Sequence, residues 1–84
     1  VLAMFAAQSS RLMATLATVP ADAGALAHTL KGSARAIGAF DVAEAAVRLE
    51  AVLADGSDPS RRLAELGDAV ALARAAIEAV LRRS

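Results

Sequence analysis

The single histidine of the chain, His28, is the residue best suited to chemistry, because imidazole can act as a nucleophile. Two cations follow it, Lys31 at three residues and Arg35 at seven, and Gly32 stands at four. On an α-helix these spacings place the three positions on the same side as the histidine. A phosphoryl group on the imidazole would bring about two negative charges, which Lys31 and Arg35 would offset. Because Gly32 has no side chain, it would leave room for another protein to approach the imidazole ring.

A simpler interpretation of these residues is also open. A lone histidine on a helix is more often an ordinary surface residue than a nucleophile, and Lys31 and Arg35 fit a solvated face equally well. Gly32 could mark a close contact between two helices. Glycine inside a helix costs roughly 0.5–1 kcal/mol relative to alanine, so its place in an alanine-rich segment requires a reason.

The composition confines the chain to one small domain, predicted to span residues 1–84. Nine basic and nine acidic residues give a formal net charge of zero, so we expect no nucleic-acid partner and no binding to an anionic membrane surface. The absence of cysteine excludes disulfides, thiol catalysis and cysteine-based metal sites. No apolar run is as long as a membrane span, and the first residues lack the basic leader of a signal peptide, so we expect a cytoplasmic location.

Helix-breaking residues divide the chain into four segments. Pro20, Gly38 and the run 55–59 interrupt a sequence rich in alanine, leucine, arginine and glutamate, all strong helix formers. We predict helices over about 2–18, 21–37, 41–54 and 59–82. Four amphipathic helices with short connections are typical of an all-α fold, here an antiparallel up-down four-helix bundle.

The apolar spacing of the second predicted helix decides where His28 points. Leu26, Leu30, Ser33 and Ile37 follow one another at four, three and four residues, which predicts that they form its buried seam, with Ala23, Ala27 and Ala34 beside it. His28 would then lie on the opposite, exposed side. The positions that share this side are Gly24, Lys31, Gly32 and Arg35.

Capping residues mark several predicted helix ends. Asp41 and Glu44 have the spacing of a capping box at the start of the third helix. Asp58, followed by a proline, fits the start of the fourth helix, and Gly56 fits the end of the third. Asp22 is a candidate N-cap for the second helix. The fourth helix is predicted to bury Leu63, Leu66, Val70, Ile77 and Leu81.

The segment 27–39, AHTLKGSARAIGA, resembles the signature of histidine-containing phosphotransfer (HPt) domains. That signature has a histidine followed by lysine at three residues, glycine at four, often serine at five, and glycine at ten. The matching positions are His28, Lys31, Gly32, Ser33 and Gly38. The resemblance continues through residue 40 to about residue 53, and the number of helices agrees over the whole chain.

The resemblance implies a role for each site residue. His28 would accept the phosphoryl group through Nε2, Lys31 would help to hold that group, and Gly32 would give a receiver domain room to approach. Glu50 stands where family members place a glutamate or glutamine that accepts a hydrogen bond from Nδ1 of the imidazole. Such a bond would fix the tautomer and leave the Nε2 lone pair free to attack. For Arg35, charge screening is our own inference from its position.

The function implied by the resemblance is that of a phosphoryl carrier in a two-component phosphorelay, without an ATP site of its own. Its partners would be the receiver domains of response regulators and a histidine kinase. The receiver would supply Mg²⁺ and the phospho-aspartate, whereas the domain itself would bind no cofactor and no metal. We expect it to be a monomer.

Three alternatives stand beside this function. The bundle could be an interaction module with an inert, non-phosphorylated histidine, or the phosphoacceptor domain of a chemotaxis-type histidine kinase. A hydrolase that used His28 and Glu50 as a general-base dyad would lack a nucleophile and oxyanion donors. For Glu50 alone, the alternative is a surface ion pair with a basic neighbour such as Arg48 or Arg62.

Overall fold

The computed structural model describes residues 1–83, most of which lie in four α-helices. These are α1 (Leu2–Leu16), α2 (Ala23–Ile37), α3 (Phe40–Asp55) and α4 (Ser60–Arg83). No strand occurs within residues 1–83, so the predicted all-α class is confirmed. Ser84, which the predicted domain includes, lies outside the described residues. None of the four described helices is long and apolar enough to cross a membrane.

The helices form a ring around one core. Each helix packs against the next one along the chain, α4 closes the ring against α1, and the most extensive contact joins α2 to α3. The connections, residues 17–22, 38–39 and 56–59, are short, which favours the predicted antiparallel order. Each helix contributes one fully buried leucine to the core: Leu16, Leu30, Leu49 and Leu66. Alanines fill much of the remaining core, so few large side chains carry the packing.

The buried face of α2 is rotated from the predicted one. Its buried residues are Ala23, Ala27, Leu30 and Ala34. Of the predicted seam only Leu30 is buried, and the other three residues are half-buried. The prediction centred the buried face on the large side chains and placed the three alanines beside it. The alanines are at its centre instead, because small residues let two helices approach closely, and α2 makes its most extensive contact with α3. The rotation moves Lys31 away from the exposed side and towards α3.

Two glycines end helices by adopting a left-handed backbone conformation. Gly38, with φ of 81°, follows α2, and Gly56, with φ of 74°, follows α3. A residue with a Cβ would be strained at either position. The helix end predicted at Gly56 is therefore confirmed, and the motif glycine at position 38 has a structural purpose.

The capping box predicted at Asp41 and Glu44 is wrong. Asp41 already lies inside α3, the N-cap position is occupied by Ala39, and no side chain caps this end. Glu44 instead pairs with Arg48 one turn later. The turn between α2 and α3 has only two residues, so α3 begins before the acidic residue that was expected to cap it.

The connection between α1 and α2 is longer than predicted. α1 ends at Leu16 and α2 begins at Ala23, against predicted bounds of about 18 and 21. Pro20 disfavours a helical conformation in the residue before it, and that residue, Val19, has a positive φ of 47°. Asp22 occupies the N-cap position of α2 without making a side-chain capping bond.

Asp58 organises the start of α4. Its carboxylate accepts hydrogen bonds from the backbone N–H of Ser60 at 3.0 Å and from the Ser60 hydroxyl at 2.7 Å. These bonds satisfy the capping role predicted for Asp58. At the other end of α4, Leu81 is exposed rather than buried. With 24 residues, α4 is longer than its neighbours of 15 and 16 residues, so its last turns have less to pack against.

Candidate functional site

His28 lies on the exposed side of α2, and 69% of its side chain is accessible to solvent. The buried residues Ala27 and Leu30 are its close neighbours in sequence, so helical periodicity turns the imidazole away from the core. A second protein can therefore reach the ring without any opening of the fold.

Glu50 brings a carboxylate to this imidazole from the neighbouring helix. It follows the fully buried Leu49 on α3, and the packing of α2 against α3 places its Oε2 3.4 Å from Nδ1 of His28. This separation is longer than the usual N–H···O hydrogen bond of about 2.7–3.2 Å. The Glu50 side chain is 27% exposed, which reduces the screening of its charge by solvent. The carboxylate thus faces the nitrogen that the resemblance assigns to it.

Lys31 contacts the other oxygen of the same carboxylate. Its Nζ lies 3.1 Å from Oε1 of Glu50, and only 17% of the Lys31 side chain is exposed. The sequence placed Lys31 on the outer face with His28, but the rotation of α2 brings it against α3. Oε1 is buried and receives no aligned hydrogen bond within residues 1–83, so the attraction to Lys31 is ionic. Glu50 therefore lies between an imidazole and an ammonium group.

The surface ion pairs considered for Glu50 are formed by other residues. Arg48 pairs with Glu44 on its own helix, and Arg62 pairs with Glu65 at 2.7 Å on α4. The hydrogen bond from Arg62 also holds the pKa of the Glu65 carboxyl below its usual range. Among the described residues, Glu50 has ionic contacts with His28 and Lys31 instead.

Gly32 is exposed on α2, one turn after His28. A Cβ added at this position would meet no atom of a neighbouring helix within 4 Å, and the same holds at Gly24. Within the described residues there is no close helix–helix contact that would explain the glycine. Since alanine is the better helix former, packing among the described residues gives no reason for a glycine at this position.

Arg35 on α2 and Val47 on α3 are further exposed residues of the two helices that carry His28 and Glu50. Arg35 is exposed two turns after His28 and makes no ion pair within residues 1–83. Val47 lies one turn before Glu50 on α3 and is 40% exposed. Its spacing of three residues from Glu50 puts both on one side of α3. A groove of about 410 Å³ adjoins Glu50 where the start of α2 meets the end of α3.

Some residues of the segment 27–39 support the fold, and others belong to the candidate site. Gly38 ends α2, and Ser33 is half-buried on that helix. His28 and Lys31 converge on Glu50, although 19 residues separate Lys31 from Glu50 in the sequence. The contact between Lys31 and Glu50 was not predicted, because it depends on the rotation of α2.

In this arrangement the two imidazole nitrogens of His28 differ, because Nδ1 faces a carboxylate and Nε2 does not. A carboxylate beside Nδ1 favours a proton on that atom, which leaves the Nε2 lone pair available on the exposed ring. Within residues 1–83 no group of three or more histidine, cysteine, aspartate or glutamate side chains could hold a metal ion. The site is suited to a covalent step at an exposed imidazole.

Comparison with known proteins gives one match. A family model described as "Hpt domain" matches residues 1–83. No curated protein and no solved structure gives a significant match.

Proposed function

The chain belongs to the Hpt domain family, and we propose that it carries a phosphoryl group on Nε2 of His28. Members of this family are phosphoryl carriers in phosphorelays, where they interact with receiver domains and kinases. The observation that supports His28 most strongly is the geometry of its ring. The imidazole is exposed to partners while its Nδ1 faces a half-buried carboxylate.

The proposed step is a displacement at phosphorus. The Nε2 lone pair attacks the phosphorus of a receiver's phospho-aspartate, an N–P bond forms, and the P–O bond breaks with its electron pair passing to the aspartate carboxylate. The Nδ1 proton stays on the ring, and Glu50 stabilises the resulting positive charge. The receiver supplies Mg²⁺ to neutralise the phosphoryl oxygens. The same steps in reverse return the group to an aspartate.

Two cations on α2 are proposed to offset the charge of the bound phosphoryl group. Arg35 is exposed and has no ion pair among the described residues, so it is available for this role. Lys31 is closer to His28 in sequence, but its ammonium rests on Oε1 of Glu50.

The partner is proposed to dock over the α2–α3 face. Gly32 gives the receiver room beside the ring, and Val47 with the groove near Glu50 offers apolar contact. Signalling contacts of this kind are typically small and transient. A histidine kinase is proposed to load the relay, and we expect the chain to act as a monomer in the cytoplasm.

The test is phosphoryl transfer to the purified chain and to the His28→Gln variant. Radiolabelled phospho-receivers and the small donor phosphoramidate serve as sources, so that one arm needs no cognate partner. We expect alkali-stable, acid-labile label on the unmodified chain and none on His28→Gln. Because His28 is exposed, the variant should keep the circular dichroism spectrum and melting temperature of the parent. Thr29→Gln, at the next exposed position, serves as the matched control and should accept label from phosphoramidate.

Two results would overturn the assignment. A folded chain that takes no label from either kind of donor would favour the interaction module with an inert histidine. Label that persists in His28→Gln would move the acceptor to another residue.

A further inference from the structure

We propose that two copies of this chain associate through the outer surface of α4, in an antiparallel pair that leaves the imidazole of His28 open in each copy. The contact surface is a stripe of five exposed residues, which we call the α4 outer stripe, together with the groove beside it. This inference does not depend on the phosphoryl step. One chain remains the unit that accepts the phosphoryl group, so the monomer expected for transfer and the pair concern different surfaces.

The members of the α4 outer stripe are exposed and follow one another at four, four, three and four residues, which puts them on one side of the helix. They are Asp68, Leu72, Ala76, Ala79 and Arg83. The core is contacted from another side of α4, by Leu66, Val70 and Ile77. α4 therefore has a second face that stays open in the single chain.

The middle of the stripe is apolar and borders a groove. Leu72 is 74% exposed, and Phe40, at the start of α3, is 68% exposed. The groove of about 750 Å³ lies between the α2–α3 turn and α4, and Leu72 and Ala76 form part of its α4 wall. Exposed apolar surface with charged residues at its rim is typical of a protein–protein contact. The alanines at positions 76 and 79 would let a second helix approach closely.

The charged ends of the stripe favour a second copy as the occupant. Asp68 and Arg83 have no ion pair among the described residues, and they lie fifteen residues apart, about 22 Å along the helix. If a two-fold axis passes midway between them, α4 of the second copy runs antiparallel and each Asp68 faces the Arg83 of the other copy. The same axis puts each Leu72 opposite an Ala79, because these two residues share that midpoint. One symmetry operation thus matches both the charges and the apolar residues.

The contact leaves the candidate phosphoryl site free. His28 faces Glu50 on α3, and Glu50 lies ten residues after Phe40, about 15 Å along that helix. The groove beside the α4 outer stripe lies at the end of α3 that carries Phe40. The His28 side chain of each copy therefore remains accessible to a receiver.

The chemistry of the stripe indicates a weak pair. Two of its five residues are alanines, which bury little apolar area, and its charges are exposed to solvent. We expect a dissociation constant of about 10–100 µM, well above that of an obligate dimer. Unfolding measurements at a few micromolar therefore report on the single chain.

The test is sedimentation equilibrium of the purified chain from about 10 µM to about 1 mM, a range that includes the expected affinity. We expect the average mass to rise from the 8.5 kDa of one chain towards twice that value. Asp68→Arg puts two positive charges opposite each other at both ends of the pair and should weaken association about tenfold or more. Arg83→Asp puts two negative charges there and should have the same effect.

The Asp68→Arg, Arg83→Asp double variant is the decisive one, because exchanging the two charges pairs them again across the two-fold axis. It should recover the dissociation constant of the parent to within about threefold. Leu72→Arg removes the apolar centre and should weaken association at least as much as Asp68→Arg. Arg11→Asp makes the same charge change as Arg83→Asp at an exposed position on α1 and should leave association unchanged.

The outcomes separate this inference from the proposed function. Circular dichroism checks that each variant is folded, and Leu72→Arg should accept label from phosphoramidate as the parent does. A chain that keeps the mass of one copy at the highest concentration overturns the pair, and the groove would then suit another partner. Equal weakening in Arg11→Asp, or no recovery in the folded double variant, overturns the antiparallel contact through α4.

Discussion

At Gly32 helix stability favours a residue with a side chain, whereas the proposed docking of a receiver domain favours glycine. The position is exposed in the middle of α2, and a Cβ there would touch no neighbouring helix within 4 Å. No contact among residues 1–83 therefore explains a residue that costs roughly 0.5–1 kcal/mol relative to alanine. The site explains it if a receiver domain must pass close to α2 in order to reach His28.

Two substitutions at this position give opposite results under that explanation. Gly32→Ala should raise the free energy of unfolding by about 0.5–1 kcal/mol in urea denaturation and leave transfer nearly intact, because a methyl group is small. Gly32→Gln should keep the helix but raise the KM for a phospho-receiver, with the phosphoramidate reaction unchanged. Ala71→Gln, at an exposed site on α4, is the control for the bulk of the side chain. Equal KM values for Gly32→Gln and the parent would contradict the clearance role.

At the scale of helices, the sequence predicts which segments are helical better than it predicts how each helix is turned. The number of helices follows from local chemistry, because Pro20, Gly38 and Gly56 interrupt strong helix formers. The rotation of α2 does not, because it depends on how alanines pack against α3, which is long-range information. The contact of Lys31 with Glu50 shares this cause, since it depends on a neighbouring helix that the local pattern does not show. The failed capping box at Asp41 has another cause, the two-residue turn that lets α3 begin at Phe40.

The start of α4 gives a pH-dependent prediction. Two hydrogen bonds from Ser60 hold the pKa of the Asp58 carboxyl below its usual range. A carboxyl with a lowered pKa in the folded state stabilises the fold above its unfolded value of about 3.9. This contribution is lost as the pH falls through the lower, folded pKa. Asp58→Ala should therefore lower the melting temperature at pH 7, and the difference from the parent should shrink towards pH 2.

The control for this titration is Asp68→Ala. Asp68 is an exposed aspartate on α4 with no hydrogen bond or ion pair among the described residues. Its replacement removes one negative charge without removing a cap. A difference in melting temperature between Asp58→Ala and the parent that stayed constant from pH 7 to pH 2 would show that the carboxylate is not acting as the cap.

On the scale of the whole molecule, a groove larger than the one beside Glu50 lies away from the proposed site. A groove of about 750 Å³ runs between the α2–α3 turn and α4, with Phe40 and Leu72 exposed along it. His28 instead stands on an open helix face, 69% exposed. An enzyme that encloses its substrate needs a pocket, whereas a carrier must offer its nucleophile to the active site of another protein. The exposed histidine is thus consistent with the family's role.

The bundle that supports this exposed site has a core with few large residues, so single leucines should matter strongly. Leu49 is fully buried on α3 and immediately precedes Glu50, and each other helix contributes one such leucine. Leu49→Ala should lower the free energy of unfolding by about 2–5 kcal/mol in urea denaturation. The total free energy of unfolding of a domain is about 5–15 kcal/mol, so this loss is a large share of it. Leu72→Ala makes the same chemical change at a side chain that is 74% exposed, and its effect should stay within about 0.5 kcal/mol. If both variants lowered the free energy of unfolding by a similar amount, the buried leucines would not be what holds the bundle together. Some other contact would then position α3 beside α2.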